Sequence, residues 1–110
     1  MKTDIEILTT AIVDFRDRRN WKQFHNPKDL AICLNIESSE LLEQFLWKSP
    51  EEANIDSIKD ELADVIYSAF LLAHECNLNI SDIVHEKLKK NDLKYPVSKS
   101  FGKKDKYDVL

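Results

Sequence analysis

Two short segments, Glu37-Ser38-Ser39-Glu40 and Glu61-Leu62-Ala63-Asp64, each carry a pair of carboxylates three residues apart. On a helix such a pair projects from the same side, with a rise of about 4.5 Å between its members. Acidic pairs are ordinary on a solvated face, but these have apolar neighbours. On a helical wheel Glu37 falls between Leu30, Cys33 and Leu41, and Glu40 lies beside Cys33 and Trp47. Asp64 interrupts Leu62 to Ala73, a run that is apolar nearly all round, and shares a stripe with Glu61, Ser68 and Glu75. A helix of that kind is buried on most sides.

Burying ionised carboxylates without compensation is very costly, and four together repel one another. A divalent cation resolves both problems. Mg²⁺ prefers oxygen ligands and keeps several waters, and Mn²⁺ is the natural substitute in an all-oxygen site. Packed helices lie roughly 8–10 Å apart, so two facing pairs could enclose one or two ions. From periodicity alone a solvated acidic surface remains equally open. A di-iron carboxylate bundle is disfavoured, because it needs Glu-x-x-His motifs that neither segment supplies.

The elements that must position these carboxylates read as helices. The 110 residues contain one Gly and three Pro, too few turn residues for an all-β or Gly-rich nucleotide fold. Helical spacing of Ile5, Leu8, Ile12 and Phe15 predicts a first helix from about Asp4 to Trp21, with Asp14, Arg16, Asp17 and Arg18 facing solvent. Asn26 and Pro27 form a cap and first position for a second helix ending near Trp47. Ser49 and Glu52 have capping-box spacing. A third helix spans about Asp56 to Cys76. A fourth, capped by Asn79, runs from Ile80 to Lys94, where Tyr95-Pro96 stops it. The tail from Val97 to Leu110 is Lys-rich without an apolar period and reads as extended or partly disordered.

The formal charge of −4 excludes the broadly basic surface of a nucleic-acid binder. An acidic protein that binds an anion needs a cation between them. Cys33 and Cys76 lie in apolar runs without metal or redox spacing and read as buried small hydrophobes. The N-terminus has no long apolar core, and no stretch reaches membrane-spanning length, so the expectation is a soluble cytoplasmic protein without a membrane partner.

The ordered set Glu37-x-x-Glu40 … Glu61-x-x-Asp64 resembles the signature of MazG-like nucleotide pyrophosphohydrolases. Phe15 to His25, Phe45-Leu46-Trp47-Lys48-Ser49 and Lys87 to Pro96 resemble segments of that family's dCTP-pyrophosphatase branch. The likeness covers about residues 5 to 96, which makes 1–96 a catalytic domain and 97–110 a tail. It implies an all-α fold of four to five helices whose core is completed by oligomerisation, as a dimer or tetramer. It also implies Mg²⁺-dependent cleavage of a (deoxy)nucleoside triphosphate to monophosphate and pyrophosphate, for cleansing of the nucleotide pool.

By that resemblance Glu37, Glu40, Glu61 and Asp64 are catalytic metal ligands. Trp21, His25 and Trp47 line a base pocket. Lys87, Asn91, Lys94 and Tyr95 meet phosphates and sugar. Three departures stand out: Ser38 and Ser39 where the family often has Gly, Lys94 where it commonly has Arg, and Tyr67 three rather than four residues past Asp64. The competing expectations are a pyrophosphohydrolase of the same superfold acting on dUTP or phosphoribosyl-ATP, and a non-enzymatic helical module whose third helix is a dimer seam.

Overall fold

The computed structural model describes residues 1–110 and is all-α, with five helices and no strand. They are α1 (Asp4–Asp17), α2 (Pro27–Glu43), α3 (Ile55–Glu75), α4 (Ile80–Lys94) and α5 (Val97–Ser100). Single 3₁₀ turns occupy Lys22–Phe24, Pro50–Glu52 and Tyr107–Val109. The chain forms two compact units, Met1–Leu78 and Asn79–Leu110. No helix is long and apolar enough to cross a membrane.

Each long helix begins where a side chain satisfies its free amides. Thr3 and Glu6 form a reciprocal capping box on α1. Asn26, Asn54 and Asn79 accept from backbone N–H groups at the starts of α2, α3 and α4. Ser49 makes no such bond, and the turn it precedes closes as 3₁₀.

Two helices end earlier than their apolar spacing suggests. α1 stops at Asp17 because Asn20 takes a left-handed φ of 54°, turning the chain before Trp21. α2 stops at Glu43 and continues as turns to Trp47, whose φ is 62°. Asn tolerates that region; for Trp it is uncommon.

In the first unit α2 packs along α3, and α1 packs against α3. Ile12, Leu30 and Leu71, one from each helix, form the buried centre, with Tyr67, Phe70 and Leu72 packed around it. Arg16 does not face solvent as the sequence suggests. It lies four residues after Ile12, on the same face, and is 1% exposed. Its guanidinium donates to Glu75 at the end of α3 and to Asp17, which makes its burial tolerable. Cys33 and Cys76 are likewise exposed rather than buried. Cys33 falls on the outer side of α2, and Cys76 lies beyond the last helical residue of α3.

In the second unit the tail is built from α5, a turn at Gly102 and the last 3₁₀ turn. Ser100 Oγ donates to the carbonyls of Tyr95 and Pro96. The Tyr107 ring packs edge-on against Tyr95, 6.0 Å between centroids.

Candidate functional site

The pairing of α2 with α3 brings the two acidic segments together. Carboxylate oxygens of Glu37, Glu61 and Asp64 all lie within 4.8 Å of one another. Glu37 and Glu61 are half-buried and Asp64 is exposed, so the group opens to solvent on one side. One oxygen of Glu37 and one of Glu61 are buried without any hydrogen-bond partner. Glu40, also half-buried, lies outside this tight triad but within hydrogen-bonding reach of Glu37 and Glu61.

Burial, a hydrogen bond to Glu40 and the negative charges of Glu40, Asp64 and Glu61 push the Glu37 carboxyl up to about 7. Burial and the charges of Glu40 and Asp64 raise Glu61 as well. A site in which burial and mutual repulsion raise Glu37 and Glu61, and in which one oxygen of each meets no donor, fits a hard cation. Glu37, Glu61 and Asp64 would hold it directly, with Glu40 beside them. When bound, a divalent cation neutralises phosphate charge and lowers the pKa of a water.

Beside this cluster lies a cleft of about 460 Å³, lined by Ala11, Ile12, Phe15, Trp21, Asp64 and Tyr67. The volume falls within the range of small-molecule sites. Its walls are largely aromatic. The Phe15 ring meets Trp21 edge-on at 6.0 Å between centroids and Tyr67 at 6.2 Å. The Arg19 guanidinium lies 3.6 Å from the Phe15 ring centroid, closing that side with a cation–π contact. Burial raises the Tyr67 phenol above its ordinary range, partly offset by the charges of Arg16 and Arg19. Tyr67 is therefore a neutral donor at physiological pH.

Of the residues expected at a base pocket, Trp21 lines this cleft. His25 and Trp47 are not among its lining residues. His25 is half-buried, with Nδ1 enclosed and unpartnered. Burial and the Arg16 charge lower its pKa, against the opposing pull of Glu75. Trp47 is fully exposed. Phe15 and Tyr67 were not singled out for the pocket by spacing. Phe15 reads as core-facing on its helix, and Tyr67 is one aromatic within an apolar run; only the approach of α1 to α3 reveals their meeting.

The remaining expected residues belong to the second unit. Lys87 is exposed on α4, and Asn91 is half-buried, its backbone carbonyl accepting from Tyr95 N–H at 2.7 Å. Lys94 Nζ lies 5.0 Å from the Tyr107 ring centroid, and Tyr95 is half-buried against the same ring.

Comparison with known proteins agrees with this architecture. Residues 32–110 match the MazG-like family. Proteins named dCTP pyrophosphatase 1 are 34% identical in Mus musculus and 30% in Homo sapiens, over 96% of this chain and 67% of theirs. The crystal structure of a pyrophosphatase from Archaeoglobus fulgidus DSM 4304 superposes with a TM-score of 0.81 at 34% identity, covering 87% of this chain and 95% of that one. The chain belongs to the MazG-like family, as an all-α nucleoside triphosphate pyrophosphohydrolase.

Proposed function

We propose that this protein hydrolyses dCTP-like (deoxy)nucleoside triphosphates to the monophosphate and pyrophosphate with Mg²⁺, and that it serves to cleanse the nucleotide pool. The observation that carries this reading is the double role of Asp64. It belongs to the carboxylate triad and to the wall of the aromatic cleft. A triphosphate bridged to the carboxylates by a cation therefore has an aromatic surface next to it on which its base can stack. The relatives named dCTP pyrophosphatase 1 favour a cytosine base.

On this reading Glu37, Glu40, Glu61 and Asp64 form the metal-binding, catalytic set. Phe15, Trp21 and Tyr67 hold the base, with Tyr67 as the neutral donor to its edge or to the sugar. His25, with its enclosed and unpartnered Nδ1, is the further residue assigned to the base. Lys87 and Lys94 serve the phosphates through charge complementarity, and Asn91 and Tyr95 offer hydrogen bonds to the phosphates and sugar. The catalytic unit spans 1–96.

The protein also works as a homo-oligomer on this proposal. Ile32 and Ile36 on α2, Leu62 and Ile66 on α3, and the whole indole of Trp47 are exposed. Ile32 and Ile36 stand one turn apart on α2, as Leu62 and Ile66 do on α3; exposed apolar stripes of this kind favour an interaction surface, and a second copy of the chain is the occupant we assign to it.

A panel of canonical (d)NTPs with Mg²⁺ tests the base assignment. The highest kcat/KM is expected for dCTP. A purine nucleotide used as well or better would contradict it.

A further inference from the structure

An ion pair with one fully buried partner lies outside the carboxylate cluster in the first unit. Arg16, on the last turn of α1, is 1% exposed. Its Nη1 donates to Oε1 of Glu75, on the last turn of α3, and its Nε donates to Oδ1 of Asp17 at 3.0 Å. The backbone of Arg16 is engaged too: its carbonyl accepts from the N–H groups of Arg19 and Trp21, at 3.1 and 3.2 Å. One residue thus ties the end of α1 to the end of α3 and shapes the turn that delivers Trp21.

The neighbours of this tie are the walls of the cleft. Phe15 precedes Arg16, Trp21 hangs from its carbonyl, and Tyr67 stands two helical turns before Glu75 on α3. The Arg16 charge also acts on Tyr67, a wall of the cleft, and on His25. A buried ion pair tolerates little slippage, because each partner is costly without the other. Apolar packing at Ile12 and Leu71 would resist separation of the helices, but it is not directional.

We propose that the Arg16–Glu75 pair is a positioning element that fixes α1 against α3 in the register the aromatic cleft requires, and so sets nucleobase selectivity without touching the carboxylate cluster. This rests on the cleft being the base pocket.

The test uses Arg16→Lys and Glu75→Gln, with the double variant Arg16→Met/Glu75→Leu in case an uncompensated buried charge prevents folding. Replacing both partners by apolar groups removes the charges together. In each folded variant KM for dCTP should rise about tenfold or more, with the preference for dCTP over dGTP narrowed and kcat within about threefold. In the nucleotide-free protein, nuclear Overhauser contacts between the Phe15 and Tyr67 rings should weaken.

Folded variants with wild-type KM, unchanged base preference and intact ring contacts would overturn the proposal. So would a loss confined to kcat. Wild-type protein that hydrolyses no nucleotide would count against the substrate reading instead; the ring contacts, which need no turnover, still decide whether the pair sets the register.

Discussion

Glu37 on α2 and Glu61 on α3 meet across the helix interface with one buried oxygen each left without a donor. Nothing in the protein's own hydrogen bonding satisfies that pair, and a cation would. Glu61→Gln removes one charge and leaves a weaker, neutral amide oxygen in place of a carboxylate ligand. The metal-free variant should therefore unfold at a higher temperature than wild type. Its stabilisation by Mg²⁺ should shrink, and turnover should fall by at least about a hundredfold, since even groups that only orient metal ligands are worth 10–100-fold. Thermal unfolding with and without Mg²⁺, alongside initial rates, reads all three effects. Wild-type stabilisation by Mg²⁺ in the variant would place the ion elsewhere.

The raised carboxyl of Glu37 fixes a sign for pH dependence. Its folded pKa of about 7 lies above that of an unfolded glutamate. Between those values the folded state binds more protons than the unfolded one, so stability falls as pH rises. Metal-free protein should be fully relieved of the repulsion below the ordinary glutamate range. It should lose that relief as pH rises through about 7. Denaturant midpoints in EDTA across pH 5 to 8 should decline, and saturating Mg²⁺ should flatten the trend. A metal-free midpoint that rises over this range would contradict the electrostatic account.

Trp21 lines the cleft from the turn after α1. Base–aromatic stacking contributes about 1–3 kcal/mol, so Trp21→Ala should raise KM by roughly five- to a hundredfold. Mg²⁺ affinity in the absence of nucleotide should stay as in wild type, because Trp21 contributes no ligand. Isothermal titration with the metal, paired with steady-state kinetics, separates the two.

How far the sequence carried this picture depends on which physical signal was involved. The four long helices, the Asn26 and Asn79 caps and the approach of Glu37 to Glu61 and Asp64 are legible, because periodicity and capping are local. The helix ends at Asp17 and Glu43 are not. Trp21 and Trp47 continue the apolar spacing, while the left-handed residues at Asn20 and Trp47 break the helical path. The burial of Arg16 is not legible, because charge usually means solvent; its partner Glu75 is 59 residues away in sequence and comes into view only when α1 packs on α3. The cleft shares that blind spot, since Phe15 and Trp21 sit at the end of α1 and in the turn after it, while Tyr67 comes from α3 far along the chain.

The exposed Trp47 indole points to a further outcome. Its removal costs the single chain no buried area, so Trp47→Ala should leave the far-UV spectrum unchanged. In the proposed oligomer it should weaken self-association, seen by sedimentation as a shift toward smaller species over a dilution series. Unchanged assembly would show that the surface around Trp47 faces solvent in every species.

The central claim is that the Glu37, Glu40, Glu61 and Asp64 cluster uses a divalent cation to cleave a nucleoside triphosphate between its α and β phosphates. Phosphorus-31 NMR of dCTP incubated with the protein and Mg²⁺ tests this most directly. The account predicts dCMP and pyrophosphate as the only products, with no turnover once EDTA is present. Release of dCDP and orthophosphate, or hydrolysis that continues undiminished in EDTA, would contradict it.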